Sequence, residues 1–565
     1  MASTVAQLLR RVTSGLADEG LFAPLGQPDP AQFVSVVRKS ARWAAQWVEV
    51  GFEGTPNFGG RASATLPRKA EFVSAVVLVV TLPDIAGPQL AAAAAAAAAT
   101  GLAPEEALVG PRFGWTNSVG HALIEFVELE IGGVVVERLD GRLLEVLDEL
   151  YEPLEGLRAK NALIARAPSG FGPTTWGWSG GPLTVHVPLP FWFCTNAPGG
   201  GGSYEQALPL DALNADFVRV HVTLRPVEAL YYTDARADPR MAGYRSAAQD
   251  GAPGSMPPLQ GARFLRRAME ADRGLPLSPP YGLLPGVDDF LAERTLAPVT
   301  PVAGVAMPSR LQVVDAHLLV EYVSVEMEEA ARLRRGDLSY VITQHVALGP
   351  LDTGGAREVR LPLPQGGLVK ELLWVLQRPE APALYNAHFL FTRDLVRPFA
   401  AGPASHAPWW PDAVLPATAE GGGAVRPAFL DAGSEPLAGA TLLYNGLARF
   451  AHTGGSLFRS LLPALHYKRT PLLHRYVYAY PFGVGPGLGA AQQGGSVHAE
   501  AVRAAGPPYA PRGCANWDLL PRKELVVRCN PAATGDCPPP LTLHAWATTY
   551  NVLRVYGGRG ALLFA

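Results

Sequence analysis

The sequence predicts an all-β protein with two large domains, and length and composition are the first grounds for this. At 565 residues the chain exceeds one compact core of ordinary size, so we expect two to four domains, or two large β domains. The 60 glycines and 53 prolines divide it into short apolar segments, a pattern typical of many short strands joined by turns. Since 48% of the residues are hydrophobic, the composition argues against disorder.

An amphipathic helix is predicted within residues 1–30, ahead of the first strand. Ser3 and Thr4 are suitable caps for its first turn. Its apolar side chains recur at helical spacing on one face: Val5, Leu8, Leu9, Val12 and Leu16. Such a face packs either on its own domain or on a partner surface.

Short strands separated by Gly and Pro are predicted next. The apolar segments are Trp47–Phe52, Ala62–Leu66 and Phe72–Leu82. Nine alanines then follow, Ala91–Ala99, between flanking prolines. So short a run has little to pack against, and we interpret it as a surface insertion.

A hairpin followed by a helix is predicted in the next segment. The apolar run Ala122–Ile131 ends at Gly132-Gly133, a pair that a tight hairpin turn accepts. The period then changes to helical spacing, with leucines at positions 139, 143, 144, 147 and 150. A short amphipathic helix therefore follows the hairpin.

Later segments complete one β-rich half and begin another. From Leu183 to Asn196 apolar and polar residues alternate, as in a half-buried strand, and Phe217–Leu224 is a further strand. Residues 233–305 lose periodicity and predict a long insertion or interdomain linker. The second β-rich half begins near Leu311.

Catalytic and metal-binding patterns are missing from the sequence. It contains no Gly-x-Ser-x-Gly motif, no phosphate loop, and no His-x-x-x-His or Cys-x-x-Cys pair. His121 is interpreted as a satisfied structural residue in an apolar strand. The carboxylates fall into two groups, for which solvated or salt-bridged roles are favoured: Glu125, Glu128 and Glu130 in the first hairpin, and Glu326, Glu328 and Glu329 in an acidic turn. We therefore predict no enzyme activity, metal or cofactor.

Charge and cysteine content restrict the compartment and the partners. A formal charge of −3 provides no broad basic field, so direct sequence-specific binding of nucleic acid is disfavoured. The four cysteines suit free thiols in a reducing compartment. No secretory signal, apolar span or N-glycosylation acceptor is evident, which predicts a chain that is not secreted.

Extended segments of this chain resemble one protein family. Gly114–Gly141 carries most of the resemblance, and Phe58–Pro83 and Leu183–Asn196 add to it. Matching segments in the second half follow in the expected order: 317–329, 340–344, 369–377, 443–450, 476–482 and 550–564. Together they resemble the major capsid proteins of large eukaryotic nucleocytoplasmic DNA viruses, from about Trp43 to the C-terminus. The chain departs from the family pattern at Gly495–Glu500, where the family usually carries Gly-Ser-x-Asn-Phe-Ser, so we expect a different geometry for that loop.

The resemblance implies a double jelly roll, in which two antiparallel eight-stranded β-sandwiches follow one another with long loop insertions. On this basis we divide the chain into an N-terminal helix or arm (1–30), a first jelly roll (31–232), an insertion or linker (233–305) and a second jelly roll (306–565). Pro190-Phe191 and Pro481-Phe482, each at the end of an apolar strand, are a faint sign of duplication.

The resemblance also implies a structural function and a set of partners. Three copies would form a pseudo-hexagonal capsomer, and neighbouring capsomers would tile the icosahedral shell of a double-stranded DNA virus. Minor capsid and penton proteins would be further partners. The N-terminal helix would contact an inner layer of minor proteins or membrane, unless it packs on its own domain. Assembly would occur inside the host cell, in the cytoplasm or nucleus.

Two other interpretations stay open at this point. One is a minor or paralogous capsid protein of the same fold. The other is a glycan-binding jelly roll for host attachment, with exposed loop tryptophans stacking on sugars: Trp176, Trp178, Trp409 and Trp410. The same tryptophans could instead contact a neighbouring protein or pack on their own sandwich.

Overall fold

The structure is a computed structural model that describes most of the β framework. The described residues are 42–85, 95, 98–99, 113–166, 182–194, 206–233, 311–364, 366–379, 381–382, 386, 388–393, 435–471, 475–483, 513–531 and 537–564. The predicted N-terminal helix and all but the first residue of the predicted 233–305 insertion lie outside them. Of the alanine run, Ala95, Ala98 and Ala99 are helical and exposed.

The first jelly roll consists of two antiparallel sheets, each with four main strands. One sheet has the order β1-β11-β3-β7, with the short β8 added beside β3, and the other has the order β2-β9-β5-β6. Their bounds are β1 Trp43–Gly51, β2 Arg61–Thr65, β3 Phe72–Leu82, β5 Ile124–Ile131, β6 Val134–Asp140, β7 Leu183–Pro188, β8 Leu208–Pro209, β9 Val218–Leu224 and β11 Asp315–Val325. A separate two-stranded sheet pairs β4 (Phe113–Trp115) with β10 (Tyr231–Thr233).

The second jelly roll repeats this plan. Its sheets have the orders β12-β20-β14-β17, with β18 beside β14 and β21 beside β20, and β13-β19-β15-β16. The bounds are β12 Leu338–Asp352, β13 Glu358–Pro362, β14 Leu368–Gln377, β15 Leu437–Tyr444, β16 Leu447–Thr453, β17 Val477–Pro481, β18 Ala515–Asn516, β19 Lys523–Cys529, β20 Thr542–Tyr556 and β21 Arg559–Leu562. The eight-stranded double jelly roll is therefore confirmed.

Helices are short and lie at strand connections. They are α1 Val119–Leu123, α2 Gly141–Tyr151, α3 Leu154–Leu163, α4 Met327–Arg335 and α5 Leu462–His466, with a 3-10 turn at Val227–Ala229 and a π-helical turn at Leu457–Leu461. Between the corresponding strands β6–β7 and β16–β17, both jelly rolls carry helices. The predicted amphipathic helix after the hairpin is thus α2, and it begins two residues after Leu139, which belongs to β6.

The domain boundary placed at residue 306 is wrong. Strand β11 pairs with β1 on one side and with β3 on the other, so it completes the first jelly roll. The segment before it is therefore inserted within the first jelly roll, and α4 connects the two jelly rolls. Sequence order could not reveal this, because the entropic cost of closing a loop grows slowly with its length and a strand can return after a long insertion.

Several local predictions are confirmed by the strands. Strand β3 has the predicted bounds, and β7 buries Val185 and Val187 while its alternate residues are half-buried or exposed. Gly132 and Gly133 both have positive φ, at 58° and 87°, as the tight turn between β5 and β6 requires. Within the described residues, no helix is long and apolar enough to cross a membrane.

Candidate functional site

The site residues predicted from the sequence lie outside the described residues and stay predictions. This holds for the loop tryptophans at positions 176, 178, 409 and 410 and for the apolar face of the N-terminal helix at positions 5, 8, 9, 12 and 16. Within the described framework, buried charged side chains come together where the two jelly rolls meet.

The two jelly rolls meet along a buried surface that we call the junction. On the first jelly roll it is formed by β6 and α2, and on the second by β12, β14, β20 and the segment before β17. On this surface the Glu137 carboxylate of β6 lies 3.0 Å from Nδ1 of His345 in β12, and both side chains are buried. Beside them, Nε2 of Gln344 donates to the carbonyl oxygen of Val136.

Asp140 links the start of α2 to the second jelly roll. Its Oδ1 accepts hydrogen bonds from the backbone N–H groups of Arg142 and Leu143, both at 2.8 Å, and so caps the helix. Its Oδ2 accepts a hydrogen bond from the indole Nε1 of Trp546, also at 2.8 Å. The next position requires a glycine, Gly141, because a Cβ there would clash with the backbone carbonyl oxygen of His121. The orientation of α2 is thus fixed at its first residue.

The centre of the junction is a buried network of charges around Glu145 of α2. One carboxylate oxygen lies 2.5 Å from Arg166 of the first jelly roll, and the other lies 3.0 Å from Arg475 of the second. His121 donates from Nδ1 to the same carboxylate at 2.7 Å. These side chains are all almost fully excluded from solvent. Such a network stabilises a structure only when every charge has its partner.

Two more acidic residues of α2 extend the network. Asp148 lies 3.2 Å from both Lys160 and Arg166, within the first jelly roll. Glu149 lies 3.3 Å from Arg469, which precedes β17 in the second jelly roll. The helix therefore presents carboxylates to cations of both jelly rolls.

The cations keep these carboxylates ionised. Burial alone would raise the pKa of Glu145, but the charges of Arg166 and Arg475 and the hydrogen bond from His121 outweigh it, and the pKa lies well below its ordinary value. Burial likewise opposes ionisation of Asp148, yet Lys160 and the other nearby cations lower its pKa. Glu145 and Asp148 are thus ionised at neutral pH.

The end of α2 contacts the second jelly roll through a tyrosine. The Tyr151 hydroxyl donates to the carboxylate of Glu371 on β14, with O–O distances of 2.7 and 2.8 Å. Burial, the Glu371 charge and this hydrogen bond raise the pKa of Tyr151 well above its ordinary value. The ring also packs edge-on against Tyr467, with centroids 5.3 Å apart. Strand β14 is thereby held against α2.

Sequence reasoning missed the junction. It identified α2 as amphipathic, but the polar face of such a helix is ordinarily exposed, whereas here Glu145 and Glu149 are buried. Asp140 followed by a glycine and a helical leucine pattern was a detectable capping signal. Nothing in the sequence pairs Arg475 with a helix over three hundred residues earlier.

The other acidic groups are only partly as predicted. Glu128 lies 2.8 Å from Arg61, and Glu130 lies 3.9 Å from Arg219, so salt-bridged roles are confirmed for both. Glu328 and Glu329 lie in the first turn of α4 and not in a separate acidic turn, but Glu329 lies 3.1 Å from Arg332, so the salt-bridged role is confirmed for it. His121 is a partnered structural residue, but it lies in the short α1 and not in a strand. Among the residues described, no His, Cys, Asp and Glu side chains cluster as metal ligands would.

The chain is similar to viral capsid proteins in sequence. The family model "Major capsid protein N-terminus" matches residues 31–250. "Capsid protein 1" of Acanthamoeba polyphaga mimivirus is 28% identical over 231 residues, which cover 40% of this chain and 35% of that relative. The "Major capsid protein" of Chrysochromulina ericina virus is 21% identical, and the alignment covers 99% of both chains.

A solved structure agrees in fold. The crystal structure of PBCV-1 VP54, fitted into a reconstruction of the virophage Sputnik, superimposes with a TM-score of 0.56 at 17% identity, covering 94% of this chain and 99% of that one. At this identity the likeness establishes the fold alone. The family model, the relative aligned along its whole length and the paired jelly rolls agree, and this chain is similar in sequence and in fold to the double jelly-roll major capsid proteins of large DNA viruses.

Proposed function

We propose that this protein is the main building block of the icosahedral shell of a large double-stranded DNA virus. Three copies would associate so that six jelly rolls form a pseudo-hexagonal capsomer, and capsomers would tile the shell. The observation that carries the proposal is the repeated architecture, in which two jelly rolls with the same strand order are joined side by side by a buried junction. One chain thereby supplies two similar units of a ring.

The junction resists movement of one jelly roll against the other. Glu145 and Glu149 each contact cations from the second jelly roll, so rotation of one sandwich against the other would leave buried charges without partners. Loss of a partner in a buried ion pair costs about 3–5 kcal/mol. The paired jelly rolls therefore act as a rigid unit, which a regular lattice requires.

The wider partners follow from the same proposal. In a shell, this protein would contact itself within and between capsomers, and minor capsid and penton proteins at the edges and vertices. The N-terminal helix, with Val5, Leu8 and Leu9 on its apolar face, would contact the inner layer, including any membrane there. The loop tryptophans Trp409 and Trp410 would be outer-face contacts.

The native mass of the purified chain tests this proposal. We expect multi-angle light scattering to give three times the chain mass of 59.9 kDa, and electron microscopy of virions to show this chain in every capsomer of the faces. A chain that stays monomeric at all concentrations would contradict the capsomer. A trimer found only at a few positions in the virion would instead identify a minor capsid protein.

A further inference from the structure

Each of the two surfaces that form the junction has an equivalent on the other jelly roll, and these equivalent surfaces are not covered within the chain. The hairpins β5–β6 and β15–β16 both have a two-residue turn with positive φ, and in both the strand register skips the third residue after the turn. That residue is Val136 in β6 and Arg449 in β16. The next residues also correspond, so Glu137 is equivalent to Phe450.

The other side of the junction also occurs twice. The pairing of β11 with β3 and the pairing of β20 with β14 each skip one residue of the second strand. In both cases the skipped residue directly follows the residues that pair with the short strand, which is β8 in the first jelly roll and β18 in the second. Following the register across these strands makes Gln46 equivalent to Gln344 and Trp47 equivalent to His345. The glutamine is the same in both jelly rolls.

These equivalent residues differ sharply in burial. In the junction, Val136, Glu137 and His345 are 5%, 2% and 6% exposed. At the uncovered positions, Trp47 is 49% exposed, Arg449 is exposed and Phe450 is half-buried. Each chain therefore has one matched pair of surfaces in contact and a second pair open to a neighbour.

We propose that a second copy of this chain covers these surfaces, with β16 of one copy packed on β1 of the next as β6 packs on β12 within the chain. In this arrangement the Gln46 amide donates to the Arg449 carbonyl of the neighbour, and Trp47 packs against its Phe450. The buried contact between Glu137 and His345 is thus replaced between copies by an aromatic pair. This inference rests on the proposed self-association and specifies its contact.

The chemistry of the open surfaces fits a contact between separately folded chains. Aromatic side chains are enriched at the centres of such interfaces and bury a large area without a charge to desolvate. The ring of Phe450 is held by stacking on Tyr480, with centroids 4.2 Å apart, so little side-chain freedom is lost on binding. Beyond β16 along the chain, Leu461 and Leu465 are also large apolar residues with high exposure, at 54% and 53%.

The pairing also discriminates between the two kinds of contact. If β6 of one copy docked on β1 of another, Glu137 would face Trp47 and would lose its contact with His345, so that its carboxylate would keep only the hydrogen bond from the backbone N–H of Trp192. A buried carboxylate that has lost a partner is strongly unfavourable. Docking of β6 in place of β16 on β1 of another copy therefore carries a large cost in free energy.

Site-directed crosslinking tests the contact. Gln46→Cys and Arg449→Cys are introduced together after the exposed Cys514 and Cys537 are changed to serine, and a short bismaleimide is added. We expect covalent oligomers up to three chains from the double variant and none beyond dimers from either single variant. Gln46→Cys with Val135→Cys is the matched control, because Val135 is 45% exposed and lies outside the contact.

A substitution at the centre of the contact provides an independent readout. Trp47→Glu should raise the dissociation constant of the oligomer at least about tenfold while circular dichroism stays unchanged. Val134→Glu, at a residue 54% exposed, should leave the mass unchanged. A wild-type trimer with neither crosslinking nor sensitivity to Trp47→Glu would overturn this contact and leave the proposed function intact. A monomeric wild-type chain would overturn both.

Discussion

Glu145 of the first jelly roll lies 3.0 Å from Arg475 of the second, and both side chains are almost completely buried. Arg475 stands just before β17, and its guanidinium also lies 3.6 Å from Glu149. One arginine of the second jelly roll thus contacts two carboxylates on a single helix of the first. The two sandwiches are therefore expected to unfold together.

Neutralising the central carboxylate should destabilise the whole chain. Glu145→Gln leaves Arg166 and Arg475 without their shared partner, and we expect a loss of about 3 kcal/mol in the free energy of unfolding. Urea denaturation followed by tryptophan fluorescence measures this. The control Glu125→Gln, at an exposed glutamate of β5, should change it by less than about 0.5 kcal/mol. Equal effects of the two would contradict the role of the network.

Acid should weaken the junction before it affects most of the core. The pKa values of Glu145 and Asp148 are lowered in the folded protein, so their ionised forms contribute to the free energy of unfolding. This contribution is fully present above the unfolded pKa values of about 4 and is lost as the pH falls through the folded pKa values. We expect the unfolding temperature to drop steeply below about pH 4. Glu145→Gln should flatten that drop. If the unfolding temperature of this variant depends on pH as that of the wild type does, other carboxylates cause the acid sensitivity.

Removal of one hydroxyl should loosen the contact at the end of α2. Tyr151→Phe deletes the hydrogen bonds to Glu371, which is 1% exposed, and we expect a loss of about 1.5–3 kcal/mol. Tyr556→Phe is the control, since Tyr556 is 65% exposed. Thermal denaturation of both variants at neutral pH gives the comparison. A loss no greater than that of the control would show that the hydrogen bond contributes nothing.

The hairpin that carries β16 should depend on its glycine. Gly446 has a φ of 83° with open space around it, so Gly446→Ala strains only the backbone and should cost about 1–2 kcal/mol. Gly51 also has open space for a Cβ but lacks positive φ, so Gly51→Ala should be neutral or slightly stabilising. Chemical denaturation distinguishes them. A neutral Gly446→Ala would contradict the turn geometry on which the register of β16 depends.

Thiol reactivity should divide the cysteines into two pairs. Cys514 and Cys537 are exposed, whereas Cys194 and Cys529 are buried, and burial raises the pKa of Cys529 to about 11. We expect two thiols to react quickly with Ellman's reagent in the native chain and all four after denaturation. Four fast thiols in the native protein would contradict the packing around β7 and β19.

The sequence was informative where a local pattern decides local structure. The alternation in β7, the glycine pair after β5 and the leucine spacing in α2 each reflect a period or a turn that neighbouring residues determine. The placement of β11 could not be read in this way, because its partners β1 and β3 precede it by more than two hundred residues. Register across four strands likewise depends on distant pairings.

The candidate site was the least predictable part for the same reason. Glu145 and Arg475 are ordinary surface residue types, and only the packing of two domains buries them together. The equivalence of Trp47 with His345 is visible only after both sheets are aligned strand by strand. Each residue alone carries no sequence signal of its role.

A cryo-electron microscopy map of the purified oligomer tests the repeated junction most directly. We expect Trp47 of each copy to contact Phe450 of the next, with β16 lying along β1 as β6 lies along β12. A map in which Trp47 remains in solvent, or in which β16 contacts another surface, would contradict it.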